Sequence, residues 1–577
     1  MMMKYNKWQK FLIVLFIAAI FAQNILSSYH TSILWDERCY IGLGKYILKS
    51  GNFLNLNALG YHPPLSFYLN SIFLVPVKFK DGIYQKNDCW DIGNDILFNS
   101  RHNPFLIEFL ARLPFIIMSA ILSILVLKFA ENMYGVKSAL LAMFLYTFSV
   151  TIIADSSIAY TDFLVTFFIF LTIYSFWKLM NNYSIKNLFL TGIFFGLAQL
   201  SKMTALILVP CITILALIEF HRKANLNKKH ALKIITLLAF IFITGFVVIW
   251  AGYGFTLKPI KEAMPKHYSD RAYEEIDKRF SNPFLKNLAI NSFEKIYLPA
   301  PSYFFGLAAV YHGSAQKGRE GFFFGKIIEK SVWYYQGAVF ALKTQLSLII
   351  LIIITIIFFR KIKSRPVTNE FYLLIPIIIL FFAFTINKLV SGVAHILPAY
   401  PFLFVFASRT AKIKSGIIKA VLALLILHYL LSSVIAFPNY YSYFNEIIGG
   451  SANGYKYMGS GNFDGGQNLP KLKDFMDANG IKKINLSYLG SADPKDYGIN
   501  YDYMPSPYFA YWVPDYVQYI KPQERNEDCS RRNGWVAVSA SNLQGVYLFN
   551  RTCFSWLNGH NPLEKISNSI FVYNLSN

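Results

Sequence analysis

Runs of about 18–20 apolar residues recur along most of this 577-residue chain, the length a helix needs to cross the hydrocarbon of a bilayer. In lipid, every backbone N–H and C=O must find its partner inside the protein, so such runs fold as helices. Hydrophobic residues make up 55% of the chain and charged residues 15%, well under the roughly 25% charged content of a soluble domain. The sequence therefore describes a mainly α, polytopic membrane protein. We read eleven spans: 10–29, 105–130, 137–154, 161–179, 187–201, 203–219, 231–253, 342–359, 370–387, 394–408 and 416–436. The basic stretch from Lys4 to Lys10 followed by an apolar run has the shape of a signal peptide. It lacks a small-residue cleavage site, so it reads as an uncleaved first span.

A net charge of +23 would suggest nucleic acid in a soluble protein. Here the excess sits in short connections: Arg222, Lys223, Lys228 and Lys229; Arg360, Lys361, Lys363 and Arg365; Arg409, Lys412 and Lys414. All three fall on the same side if the N-terminus is cytoplasmic, as the positive-inside bias requires. Nucleic acid is excluded as a partner.

That orientation leaves two large loops, 30–104 and 254–341, and a tail, 438–577, outside. The chain divides into a transmembrane domain, 1–437, and a small extracytoplasmic α/β domain, 438–577. In the tail, 469–478 has helical spacing and stops at Gly480. Ile481 to Leu489, Trp535 to Ser539, Gly545 to Phe549 and Ser569 to Leu575 read as short strands. Four of the five cysteines lie outside. Cys39 with Cys89 and Cys529 with Cys553 are the economical pairings, and free thiols are the alternative.

The chemistry gathers where apolar residues would be cheaper. Just past the first span stands Trp35-Asp36-Glu37-Arg38-Cys39-Tyr40, then Tyr61-His62-Pro63-Pro64-Leu65. Carboxylates at a bilayer edge are costly and mark function. Asp162 begins the fourth span, Lys202 joins the fifth and sixth, and Lys343 begins the eighth, all at the outer boundary. Arg112 lies in the second span, half a helix away, and can snorkel outward. Cations at one face suit a phosphate that gains charge as it leaves, and an aspartate suits proton removal from a hydroxyl. His62 either caps the rigid His-Pro-Pro turn or donates a hydrogen bond to that phosphate. Asp155 reads as a solvated turn residue. Asp36 and Glu37 could hold a divalent cation with Asp162, but no cluster has firm ligand spacing, and metal stays undecided.

In order along the chain, Asp36-Glu37, His62-Pro63-Pro64-Leu65, Arg112, Tyr160-Thr161-Asp162 and Gly196 to Lys202 resemble the dolichyl-phosphate-mannose–protein mannosyltransferase family. Its prokaryotic branch and the lipid A aminoarabinose transferases belong to the same comparison. His395-Ile396-Leu397-Pro398, Asn445-Glu446-Ile447-Ile448-Gly449-Gly450 and Asp464-Gly465-Gly466-Gln467 extend the resemblance from about residue 10 to the end. It implies a C-type glycosyltransferase fold and an inverting transfer of sugar from a polyprenyl-phosphate donor to an acceptor hydroxyl on protein, lipid or polysaccharide. By that resemblance Asp36 is the base, with Glu37 and Asp162 orienting the acceptor or a cation. Arg112, Lys202, Lys343 and His62 hold the donor phosphate. Two departures stand out: no β-trefoil insertion is found, and Gly465 stands where the prokaryotic pattern has Trp. A lipid donor reaches the site through the bilayer, so no Gly-rich nucleotide loop is needed, and none is apparent. The rival reading is a transporter or lipid flippase, which would place polar residues at the midplane and show repeat symmetry. A non-catalytic scaffold is a further alternative.

Overall fold

In a computed structural model, the protein is described over residues 5–50, 62–79, 89–100, 102–223, 228–264, 266–310, 320–361, 367–387, 389–507 and 528–575. Tyr61 lies outside the described residues. Among the described residues, six helices are long and apolar enough to cross a membrane: Lys7–Tyr29, Pro104–Tyr134, Thr161–Asn181, Met203–Arg222, Leu232–Gly252 and Gly416–Ala436. Two more spans are broken, Val136–Thr147 with Val150–Ser156 bent by 57° and Tyr335–Lys343 with Leu346–Ile357 bent by 111°. Helix occupies the remaining three expected spans only in shorter pieces, Ile185–Ser201, Phe371–Thr385 and Tyr400–Ala407. By length and composition the count is therefore six, or eight with each bent pair as one span.

The breaks leave backbone groups without helical partners, and buried groups of that kind need partners elsewhere. One side chain links the two breaks. Gln345, at the second break, accepts from the Val150 N–H at 3.1 Å and donates to the carbonyls of Phe148 (3.2 Å) and Tyr429 (2.9 Å). Asn445 serves the other rim, donating through its side chain to the Thr344 carbonyl at 2.7 Å and through its backbone to Leu342 at 2.9 Å. Irregular backbone of this kind is tolerated where it is buried in protein or lines a cavity.

The tail holds one five-stranded sheet, in the order Tyr501–Tyr503, Ile484–Ser487, Trp535–Ser539, Ile570–Asn574, Glu564–Ile566. The first three strands run parallel and the last two are antiparallel to their neighbours. The expected helix is Leu469–Ala478, and Gly480 follows with a φ of +64°. Gly545 to Phe549 is not a strand: Gly545 has a φ of +73° and the segment is a turn, with Val546, Tyr547 and Leu548 buried. Leu469, Leu472, Met476 and Leu486 of the tail share a core with Ile33, Tyr40, Ile41 and Trp90 of the first outer loop. That loop is itself tightly packed. A Cβ on Gly42 would run into the backbone of Cys89, and Cys39 and Cys89 are disulfide-bonded, as are Cys529 and Cys553.

The Asp464-Gly465-Gly466-Gln467 turn clasps the segment that leads to Asp36. Trp35 N–H donates to the Gly465 carbonyl (3.1 Å), and Ser32 donates through its N–H to Gln467 (3.0 Å) and through its hydroxyl to Gly466 (2.8 Å). Gly466 has a φ of +89°, and a Cβ there would stand 2.8 Å from Cα of Gly490. Asp464 is buried beside Ser541, and burial pushes its carboxyl up to about 7.

Gln345→Leu should strand the Val150 N–H and the two carbonyls at a cost of about 1–3 kcal/mol per buried group, seen as a lower thermal midpoint of the detergent-solubilised protein. The raised Asp464 carboxyl binds a proton in the folded state that the unfolded chain, at its usual value near 3.8, has already lost. Its contribution to stability therefore falls as pH rises from about 4 to about 7. Asp464→Asn should flatten that part of the stability profile, measured by thermal midpoints across the same range.

Candidate active site

The first outer loop is fixed from beneath by one buried ion pair. Arg112 and Glu37 both have side chains 0% exposed and meet at 2.7 Å. Arg112 gives Nε–H and one Nη2–H to the two Glu37 oxygens, at 2.9 and 2.7 Å. Its other N–H groups go to the carbonyls of Ser28, Thr31 and Ser32 at 2.9–3.0 Å. Glu37 also accepts from the N–H groups of Leu34 (2.8 Å) and Ala159 (2.7 Å). In this arrangement every guanidinium N–H is committed. Both side chains are buried, and the pair ties the Asp36 segment to the second span.

That loop presents Asp36 at a half-buried turn. The Asp36 N–H donates to the Tyr160 hydroxyl at 3.0 Å. Tyr160 packs edge-on against Tyr40, whose ring also meets His62 at 6.1 Å. Lys202, held at the end of the helix Ile185–Ser201, pairs with Asp162 at 2.5 Å. Lys202, Asp162 and His395 all lie close enough to act on His62. Burial, with the Lys202 ammonium adding to it, holds the His62 ring down to about 3. His62 is thus neutral, a state in which one ring nitrogen carries a proton and the other is an acceptor.

Lys343 stands across a small cavity from Asp155, with Thr151, Tyr441, Tyr443 and Asn462 among the walls. Its ammonium donates to the Tyr441 carbonyl at 2.9 Å and to the Asn462 carbonyl, and lies 4.6 Å from the centre of the Phe444 ring. Asp155 is buried, only 2% exposed, and is not the solvated turn residue its Asp-Ser-Ser context suggests. The break after Thr147 turns the half-helix Val150–Ser156 inward and carries Asp155 with it. Asp155 lies within electrostatic reach of Asp162, Lys202 and Lys343.

Tyr441 connects these parts. Burial raises its phenol, and Asp155, Asp464, Asp162 and Asp36 raise it further, so the hydroxyl stays protonated. Sequence reasoning passed over it because Tyr440-Tyr441-Ser442-Tyr443 after a last span reads as an aromatic belt. Asp155 was legible only as an acid interrupting an apolar run. Among the described residues, no group of three or more His, Cys, Asp or Glu is arranged to hold a metal ion.

Residues 107–250 match the family model described as Dolichyl-phosphate-mannose-protein mannosyltransferase. The family whose motifs the chain resembles is thus the family whose model matches, and it is a family of glycosyltransferases. Among solved structures the chain is similar to ArnT from Cupriavidus metallidurans bound to undecaprenyl phosphate. That likeness has 10% identity and a TM-score of 0.47 and covers 98% of this chain and 99% of that one. It is also similar to the oligosaccharyltransferase AglB from Archaeoglobus fulgidus in complex with an inhibitory peptide and a dolichol-phosphate, at 15% identity and a TM-score of 0.46, over 74% of this chain and 55% of that one. A third likeness is to the S. cerevisiae protein O-mannosyltransferase complex bound to the sugar donor, at 20% identity and a TM-score of 0.34, covering 43% and 34%. The match thus spans about half the length of AglB and a third of the yeast chain. No curated protein matches the sequence.

Arg112→Leu should leave Glu37 as an uncompensated buried charge and cost about 3–5 kcal/mol. Adding Glu37→Gln should recover part of the loss, so that the double variant melts above the sum of the two single effects. Thermal unfolding of the four proteins in one detergent checks this.

Proposed function

We propose that the protein is an inverting membrane glycosyltransferase that moves a sugar from a polyprenyl-phosphate donor to an acceptor hydroxyl. The observation that carries the reading is the convergence on Tyr441: a half-buried Asp36, the Asp162–Lys202 pair and the Asp155–Lys343 cavity all lie about one tyrosine. The family model over residues 107–250 supports it.

In this reading the acceptor oxygen attacks the anomeric carbon while Asp36 takes its proton. The bond from that carbon to the phosphate oxygen breaks, and the phosphate leaves with the electron pair. Lys202, positioned by Asp162, and Lys343 meet the charge that develops, where preorganised donors act most strongly. Neutral His62 donates a hydrogen bond to the same phosphate. Asp36 and Asp162 are the carboxylates that a divalent cation would meet. Glu37 and Arg112 keep the Asp36 turn in place. The Lys and Arg bias of the short connections puts the N-terminus in the cytoplasm of a cell that bears this protein in its inner or plasma membrane. The site and the tail domain, 438–577, then face outward, where the acceptor is a protein, lipid or glycan.

Purified protein offered a set of radiolabelled polyprenyl-phosphate sugars, with and without EDTA, should transfer or hydrolyse one of them. Asp36→Asn should lower that rate at least about a hundredfold, as expected for loss of a general base. Equal rates from wild type and a folded Asp36→Asn on every donor would overturn the assignment and favour a transporter or flippase.

A further inference from the structure

A second cavity lies beside the one that Lys343 lines. It shares Tyr441 and Ala154 with the first cavity and opens between the outer ends of the first and last spans and the tail domain. Its walls are unlike those of its neighbour. Thr31, Ser157, Asn439, Ser442 and Gln467 line it, and Lys471 is the one charged side chain among its lining residues. Among the described residues that line it there is no carboxylate.

Among the described residues, the hydrogen-bond partners of Lys471 are neutral oxygens. Its ammonium donates to the side-chain carbonyl of Asn439 and, at 3.4 Å, to that of Asn468. Asp474, one turn along the same helix, is the acid that acts on it from a distance. Burial pushes the Lys471 amine down to about 8. A half-buried cation whose hydrogen-bond partners are neutral amide oxygens is costly unless an anion arrives to pair with it. Gly465 lies against two residues of the cavity wall. A Cβ there would stand 3.2 Å from Leu34 Cδ2 and 3.5 Å from the Tyr441 hydroxyl, both on cavity walls.

We propose that this cavity is an oxyanion subsite in which Lys471 pairs with a phosphate or carboxylate carried by the acceptor. The proposal rests on the transferase reading above and names a feature of its acceptor: an anionic group close to the hydroxyl that attacks. Asn439, Asn468 and the surrounding hydroxyls complete the hydrogen bonds of the anion. The shared wall at Tyr441 puts this handle next to the site where the sugar is transferred.

Inorganic phosphate is the probe, and binding to the full-length protein in detergent is the readout, so no turnover is required. Wild type should bind a phosphate equivalent that Lys471→Met weakens about tenfold or more, the loss of one charge-assisted contact. Lys471→Arg should restore most of it. Thermal midpoints of both variants separate loss of the site from loss of the fold. Phosphate binding by a folded Lys471→Met equal to that of wild type overturns the proposal. The same titration is repeated with saturating polyprenyl monophosphate. An acceptor subsite still takes phosphate, whereas displacement of the Lys471-dependent equivalent makes the cavity the seat of the donor and overturns the acceptor assignment. Failure of the transferase reading would show instead as no turnover of any donor, with this binding unchanged.

Discussion

The Arg112–Glu37 pair is the constraint on which the outer face depends. Two charges taken out of water have to be repaid by geometry, and here each has its full set of hydrogen bonds. The bonds reach the end of the first span, the turn at Leu34, the start of the fourth span and the second span itself. Three stretches distant in sequence, 28–37, Arg112 and Ala159, are thereby held to one another. Asp36 is the next residue along, and its position follows from that lock. A guanidinium suits this task better than an ammonium, because its planar fork can serve a carboxylate and several carbonyls at once.

The broken helices supply the second requirement. A membrane helix that satisfies its own backbone offers little to a polar ligand. Breaking two of them at Thr147 and Lys343 turns half-helices inward and places Asp155 and Lys343 across a cavity. Gln345 and Asn445 then satisfy the backbone groups that the breaks expose. Specificity for polar groups is thus obtained without leaving backbone unpaired in lipid, and the electrostatics centre on Tyr441. Four aspartates act on that phenol; Lys202 pairs with one of them, Asp162, and Lys343 and Lys471 each line a cavity that Tyr441 shares.

Much of this was legible in the sequence because hydropathy and local propensity act over short distances. A helix lies within every apolar run, and Leu469–Ala478 was bounded by its spacing and by Gly480. Asp36, His62, Asp162 and Lys202 could be singled out because each is an expensive residue at a bilayer edge. Their neighbours were harder. The partners of Arg112 were not legible because they lie up to 84 positions away. Asp155 looked solvated because a bend in a span has no strong one-dimensional sign. Gly545 to Phe549 looked like a strand because a buried turn has the same apolar content. In each case the deciding contact was long-range.

The clasp between Ser32 and the Gly466 carbonyl joins residues 434 positions apart. Translation proceeds from the N-terminus, so residues 464–467 are made long after the Asp36 turn and after the segments that Arg112 and Glu37 join. The clasp is therefore a late addition to a turn that the buried ion pair already holds, and a chain stopped before residue 464 would lack it.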